Sequence, residues 1–510
     1  MTNRQALWAV IITSTLLRVA WGASLGPDTN EAYHFLYTRH PDLSYFDHPP
    51  MVALVAALGL KLARGVSLVL SLRAAFIVLF AGSSWLMAKL TSRFYGPMAG
   101  VLAALALNVA GYFGLVVGTF AEPDGPLLFF WILTLDRLAV ALASPERLWS
   151  WLGVGLAWGG ALLSKYHAVL LPVGAGLYLI LWPAARRCLR TPGPYLALAV
   201  GLVLFAPVIG WNATHAWVSF LFQGLRAVPL HRAMFQLDRL AEAVIAQVLF
   251  LFPWIWAALM RILVRLIRRG PRDWMEGEAF LACHAVPAFA LFLGVSTFRH
   301  IMPSWPLIGF IAVMPMLGRD WSDRLADRPE QQWRRLAAMT MAPVAVAVMV
   351  SAHSYFGLFQ ASQGWPLGLV APGGDPTLDP ILWDQVARKL ERRHLLDEPG
   401  TFLFTSDWRD SAQLGFATQG RVPVACFVRD SRSFTYWSRP EDWVGRDGIF
   451  VGSKDGPNPV NAYARFFDRI EPLGAFNVVR ASVPVRTVRL FRCVRQTRAF
   501  PFGYSSHPGP

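Results

Sequence analysis

Apolar side chains fill long stretches of the first two thirds of the chain, and polar ones are confined mostly to the connections between them. Crossing a hydrocarbon layer of ~30 Å takes roughly 20 residues at helical rise. Runs approaching that length cover residues 7–24, 67–90, 98–117, 127–143, 149–163, 168–182, 195–211, 243–263, 279–297, 303–317 and 336–350. They predict about eleven crossings, and an odd number puts the termini on opposite sides. The run 51–62 is apolar but too short to span and is bracketed by Pro49 and Gly65, so it is predicted to lie in the interface.

The pattern changes near residue 354. Gly, Pro and Asp become frequent, and strand-like runs occur at 401–404, 422–428 and 448–452. Thr405 to Leu414 reads as a strand end entering a helix. The predicted fold class is therefore an α-helical integral membrane protein over residues 1–353, followed by a small extracytoplasmic α/β domain over residues 354–510.

Composition sharpens this picture. The chain is 55% hydrophobic and only 15% charged, against about 25% charged in an ordinary soluble domain. Its formal charge of +15 would raise the question of nucleic acid. The arginines sit between apolar runs, however, where they fit topology signals and anionic head groups, and no nucleic-acid recognition module is present. Four cysteines show no zinc-ligand spacing. Cys426 and Cys493 are candidates for a disulfide if their domain is extracytoplasmic, a point that spacing alone does not decide. The first run follows Arg4 without a convincing cleavage site and is read as a retained helix.

Every second connection is basic. Lys89 and Arg93, Arg147, Arg186, Arg187 and Arg190, Arg265, Arg268, Arg269 and Arg272, then Arg319, Arg324, Arg328, Arg334 and Arg335 fall on one side with Arg4. That side is assigned to the cytoplasm. Connections 26–65, 118–126, the turn at Lys165, 212–242 and 298–302 then face outward, although 212–242 carries Arg226, Arg232 and Arg239 against the trend.

The outward loops hold the candidate chemistry. The first packs Asp28, Glu31, His34, Asp47 and His48 between apolar segments. Partly desolvated carboxylates suit a base that activates a hydroxyl, and neighbouring cations suit a phosphate. The plainer reading is that a loop leaving a membrane must be polar and that Pro49-Pro50 starts a helix. Glu122 and Asp124 lie in the second loop, where Asp124 also reads as an ordinary N-cap. Lys165, and Arg299 with His300, either snorkel or touch phosphate.

The motifs Asn30-Glu31-Ala32-Tyr33, Tyr45-Phe46-Asp47-His48-Pro49-Pro50, Glu122-Pro123-Asp124-Gly125-Pro126 with its Leu-Leu-Phe-Phe-Trp continuation, Ser164-Lys165-Tyr166 and Pro303-Ser304-Trp305-Pro306 together resemble the bacterial branch of glycosyltransferase family 39. That branch is related to dolichyl-phosphate-mannose protein mannosyltransferases and lipid A aminoarabinose transferases. The resemblance extends over about residues 5–355. It implies a GT-C fold, a polyprenyl-phosphate sugar donor and inversion at the anomeric carbon. Family members usually carry an Asp-Glu pair in the first loop, which here is Asn30-Glu31; Glu31 is the first candidate base and Asp28 the second. In the aminoarabinose transferases Glu-Lys-Pro-Pro stands where Asp47-His48-Pro49-Pro50 stands here, and its Lys approaches the donor phosphate. The likeness thus implies a phosphate contact for His48 and a supporting role for Asp47. Asp124 matches the second-loop acid, Lys165 and Arg299 are further phosphate-facing cations, and Tyr33 and His300 are supporting residues.

The expected activity is transfer of a sugar to a hydroxyl of an envelope acceptor, which is lipid A, another glycolipid, a polysaccharide or a protein. No cofactor is required for that scheme; a divalent metal at Asp124 and Glu31 is an option. The expected location is the inner membrane, with the active site and C-terminal domain facing the periplasm. The alternatives are a lipid or sugar flippase, which would want ionisable residues near the bilayer midplane, and a non-catalytic scaffold.

Overall fold

The computed structural model describes residues 1–227, 236–360, 368–371, 374–453 and 459–501. In chain order its first helices are α1 (Asn3–Ser24), α2 (Thr29–Arg39), α3 (Met51–Leu62), α4 (Leu68–Tyr95), α5 (Pro97–Val109), α6 (Asp124–Ala143), α7 (Leu148–Ser164), α8 (Leu170–Leu181), α9 (Gly193–Thr214) and α10 (Val218–Ala227). Then follow α11 (Leu237–Leu251), α12 (Pro253–Arg269), α13 (Glu276–Ser296), α14 (Ile308–Ile311), α15 (Met314–Asp327), α16 (Pro329–Phe356), α17 (Asp379–Arg392), α18 (Trp408–Ala417) and α19 (Phe434–Trp437). The chain divides into two compact units, Met1–Gly22 with His48–Ala347, and Ala23–Asp47 with Val348–Pro510.

In the first unit and its flanks, six described helices are long and apolar enough to cross a membrane: α1, α4, α6, α9, α13 and α16. The short run 51–62 is α3. Three expected spans differ from continuous helices. Residues 243–263 are broken into α11 and α12, bent by 115°, because Phe252 adopts φ 66 and Pro253 lacks the N–H that would continue the ladder. Residues 98–117 end as an α-helix at Val109 and resume as a π-helical turn, Tyr112–Val117. Residues 303–317 form α14 and the start of α15, with Pro315 in the first turn of α15. The expected outward loop 212–242 is partly helical, since α9 runs to Thr214, α10 follows and α11 begins at Leu237; Arg232 lies outside the described residues.

Lipid is as apolar as leucine, so close packing rather than water exclusion must hold such helices together. α4 packs on α3, α5 and α6, α6 on α7, and α7 on α9. At the α7–α9 contact, a Cβ on Gly155 would lie 2.7 Å from the Ala197 carbonyl oxygen, and one on Gly201 would lie 2.1 Å from the Trp158 ring. Only glycine admits that approach. The buried Asp136 on α6 is matched by cations from two helices, with Arg93 at 3.0 Å, Lys89 at 3.4 Å and Arg137 beside it, as a desolvated carboxylate requires.

The second unit is built on a five-stranded mixed sheet in the order β2-β1-β3-β5-β4, with β1 (Phe402–Thr405), β2 (Val424–Cys426), β3 (Gly448–Gly452), β4 (Phe467–Arg480) and β5 (Val483–Gln496). β1 runs parallel to β2 and β3, whereas β5 runs antiparallel to β3 and β4. Alternation sends Leu403, Ile449 and Val451 to one face, under Leu382, Trp383 and Val386 of α17, and Phe402, Phe404 and Phe450 to the other, with Phe427 and Tyr463. The strand-to-helix turn at Thr405 is present, and Asp407 caps α18 through the Arg409 amide. The long β4–β5 hairpin, turning at Ala481 and Ser482 with φ 49 and 68, has no counterpart among the expected strands. Cys426 and Cys493 are free and buried. Two strands separate β2 from β5, about 14 Å at ordinary strand spacing, well beyond disulfide reach. Burial pushes the Cys493 thiol up to about 12.

Asp375 and Arg480 form a buried ion pair in this unit, at 2.5 Å, and His353 Nε2 lies 3.2 Å from the same carboxylate. Burial alone would raise the Asp375 carboxyl, but hydrogen bonds from Thr377 and Arg480 and the Arg480 charge more than offset it and hold it below its ordinary value. A depressed folded pKa means that the stability Asp375 contributes is complete above its unfolded value, about pH 4. It is lost as pH falls through the lower folded value. The full-length protein should therefore show, by tryptophan fluorescence in denaturant, a midpoint that drops below about pH 4 by less in Asp375→Asn than in the parent; equal acid sensitivity of the two would remove Asp375 from the account.

Candidate functional site

In the membrane unit the candidate residues converge at the ends of α6, α7 and α10 and in the segment before α14. Pro123 occupies the N-cap of α6, so Asp124 is the first helical residue rather than the cap expected from sequence, and it makes no side-chain capping bond. Its carboxylate accepts instead from Lys165 Nζ at 2.7 Å. Lys165 ends α7 in extended conformation, φ −159, which turns its side chain off the helix. Tyr112, from the π-helical turn, lies in electrostatic reach of Asp124 and Glu122 and beside Ser304.

His167, two residues beyond Lys165, is surrounded by cations: Lys165, His48 and Arg226 all act on it. Its ring also packs on Phe292 and Trp305, at 4.8 and 5.5 Å between centroids. A cavity of about 200 Å³ opens beside them, lined by Arg226, Arg299, His300, Ile301, Met302 and Trp305. The Arg226 guanidinium stands 5.3 Å from the Trp305 ring. Arg299 donates to the Leu225 carbonyl, which ties the two arginines to one turn of chain. His300 is exposed and pairs with Glu242 at 3.0 Å. Lys165, Arg226 and Arg299, with the His48 imidazole, thus gather near the Trp305 and Phe292 rings, with Asp124 paired to Lys165 and Glu242 to His300. Such a place suits an anion of more than one charge carried on an apolar chain.

The first-loop acids belong to the second unit, where they open α2. Asp28 is the N-cap and accepts from the Asn30 and Glu31 amides at 2.7 and 2.9 Å. Glu31 is fully buried, and its Oε2 accepts from the Asp28 amide at 3.1 Å. The two carboxylates therefore form a capping box, each satisfying donors of the other's turn. Further along, Asp47 accepts from Tyr37 Oη and from Arg432 at 3.1 Å. The Arg432 guanidinium stacks 3.8 Å above the Trp408 ring, and the Ser433 amide donates to Tyr33 Oη at 3.0 Å. Burial, and next the Asp47 charge, raise both Tyr33 and Tyr37 well above the usual phenol value, so both stay protonated. His34 is buried on the same helix.

Arg226, His167, Tyr37 and Arg432 had not been singled out from sequence. Arg226 was noted only as an exception to the charge rule, and nothing local announces Arg432 as the partner of Asp47. Among the described residues, no three His, Cys, Asp or Glu side chains gather in a way that could hold a metal ion.

Residues 47–211 match the family profile described as dolichyl-phosphate-mannose-protein mannosyltransferase. The lipid A galacturonosyltransferase RgtD of Rhizobium johnstonii is 25% identical over 460 residues, covering 84% of this chain and 87% of that protein. The crystal structure of ArnT from Cupriavidus metallidurans in the apo state has the same fold, with a TM-score of 0.60 at 17% identity over 96% of this chain and 98% of the other. Fold and sequence matches define the class: this is a multi-pass membrane glycosyltransferase with the GT-C fold. Within that class its likeness is to glycosyltransferase family 39, as the motifs around Asp47, Asp124 and Lys165 implied.

The Asp47–Arg432 pair gives a direct test of what holds residues 23–47. Arg432→Ala leaves a buried carboxylate without its cation, a change that costs about 3–5 kcal/mol when the partner is truly desolvated. Arg432→Lys keeps the charge and loses the ring stacking, so it should cost clearly less. Hydrogen exchange of residues 29–39 should quicken in the order parent, lysine, alanine; equal rates in all three would deny the pair that function.

Proposed function

We propose that the chain transfers a sugar from a polyprenyl-phosphate donor to a hydroxyl of a glycolipid acceptor of the lipid A class, with inversion. The observation that carries this reading is the cation cluster of His48, Lys165, Arg226 and Arg299 around Trp305 in the membrane unit. The RgtD relative, a lipid A galacturonosyltransferase, supports the acceptor class.

In the proposed reaction the donor phosphate rests against Lys165, Arg226 and Arg299, with His48 beside it. A first-loop carboxylate, Glu31 first and Asp28 second, takes the proton of the acceptor hydroxyl. Glu31 Oε2 accepts from the Asp28 amide at 3.1 Å, which orients the carboxylate. The acceptor oxygen forms its bond to the anomeric carbon as the bond from that carbon to the phosphate oxygen breaks, and polyprenyl phosphate leaves with the electron pair. Its charge grows during departure, and preplaced cations stabilise that charge at no cost in reorganisation. Asp124 holds Lys165 in place by its ion pair, and no metal is required. The reading further places the cluster and the second unit on the extracytoplasmic side, since Lys89, Arg93, Arg265, Arg268 and Arg269 supply the basic connections of the other. A flippase is disfavoured because the candidate acids Asp28, Glu31, Asp47, Glu122 and Asp124 sit at helix ends and in loops, while the mid-helix Asp136 is committed to Lys89, Arg93 and Arg137.

Membranes containing Glu31→Gln, incubated with a radiolabelled polyprenyl-phosphate sugar, should lose at least about a hundredfold of transfer, the usual scale for a missing general base, while the protein keeps its melting temperature. Transfer by the parent should persist in excess chelator. Full transfer by Glu31→Gln would remove Glu31 as the base, and abolition by chelator would overturn the metal-free scheme.

A further inference from the structure

At the opposite kind of surface, where arginines crowd the connections, α12, α13 and α15 enclose a second cavity of about 450 Å³, lined by Ile262, Arg265, Leu266, Arg268, Arg269, Glu278, Met316, Arg319, Asp320 and Asp323. This lies within the range of roughly 300–1,000 Å³ typical of small-molecule sites. The proposed sugar transfer makes no use of it.

Its charges are unequally committed. Asp320 accepts from Arg265 at 2.9 Å, Arg261 at 3.0 Å and Arg324 at 2.8 Å. Glu278 accepts from Arg269 at 2.7 Å and faces Arg319 at 3.6 Å, and Arg319 lies 3.7 Å from Asp323. Three carboxylates thus face Arg261, Arg265, Arg269, Arg319 and Arg324 before Arg268 is counted. Arg268 is exposed and has no hydrogen bond or ion pair among the described residues. The surplus is positive, and it is arranged as planar guanidinium forks, the geometry that recognises phosphate.

The surroundings are apolar in a way that suits only one source of phosphate. α12 leaves α11 through a 115° bend. It buries Ile255, Leu259, Ile262 and Leu266 while exposing Val264 and Ile267, the latter 73% exposed, immediately beside the arginines. A helix with arginines on one stripe and bare aliphatic side chains next to them lies along a bilayer surface, not in water. A free phosphate has no use for Val264 and Ile267; a phospholipid places its acyl chains there when its phosphate enters the cavity.

We propose that this cavity is a binding site for the head group of an anionic phospholipid, with Arg268, Arg269, Arg265 and Arg319 on the phosphate and α12 against the chains. The site anchors the bent α11–α12 pair at the membrane surface.

The test uses the full-length protein in nanodiscs of pure phosphatidylcholine, or of phosphatidylcholine with phosphatidylglycerol, and native mass spectrometry to count retained lipid. Arg268→Glu is the variant, since Arg268 has no internal partner to lose and no part in transfer. The parent should retain phosphatidylglycerol in preference to phosphatidylcholine, and Arg268→Glu should lower that preference about tenfold, the scale of one charge-assisted contact. Its transfer activity in phosphatidylcholine should match that of the parent. Inorganic phosphate added to the parent in detergent should not raise the melting temperature as phosphatidylglycerol does. Equal retention by parent and variant, or a full thermal shift with inorganic phosphate alone, overturns the proposal.

Discussion

Holding a multiply charged phosphate at the edge of a hydrocarbon layer is the constraint on which the proposed chemistry depends. Water would screen such a charge, and lipid would reject it. The fold answers by spending several helix ends on one place. The C-terminus of α7 turns out to present Lys165, the first turn of α6 presents Asp124 to hold it, α10 brings Arg226 over Trp305, and the segment before α14 brings Arg299. Each side chain comes from the end of a helix or the segment next to one, where the chain is free to aim a charge without burying it among lipid tails. The proline-marked breaks at Pro123, Pro303 and Pro306 are therefore as much part of the arrangement as the cations are.

The second unit solves a related problem with different means. Residues 23–47 leave the membrane helices as a polar loop, and polar loops are ordinarily mobile. Here the capping box of Asp28 and Glu31 fixes the start of α2. The Asp47–Arg432 pair, the Ser433–Tyr33 bond and the packing of Leu36 and Phe35 on α18 then fix the rest. The carboxylate proposed as the base gains from such restraint, since its orientation is settled beforehand.

Much of this was legible in the sequence, and what was not has physical reasons. Hydropathy found the six long apolar helices because a bilayer demands length and apolarity, although about eleven crossings were expected, and it placed α3 within the residues 51–62. It did not find the breaks at Val109 and Phe252, since a π-helical turn and a proline-induced bend leave the apolar run intact. Short buried strands were readable at β1 and β3, yet the β4–β5 hairpin was passed over: Arg469, Glu471, Arg486, Arg489, Arg492 and Arg495 break its apolar pattern. Family-like motifs named Lys165, Asp124 and Arg299. They were silent on Arg432, whose partner lies 385 positions away, and the Asp28-x-x-Glu31 spacing of a capping box was present but unread.

The central claim is that the cations around Trp305 hold the donor phosphate, and binding tests it more directly than turnover does. Because Trp305 lines the cavity, its fluorescence should respond when purified full-length protein in detergent is titrated with polyprenyl phosphate. The account predicts saturable quenching in the parent and affinity weaker by at least about tenfold in Arg226→Met with Arg299→Met, for the loss of two charge-assisted contacts. Unchanged affinity in that double variant, with its melting temperature intact, would contradict it.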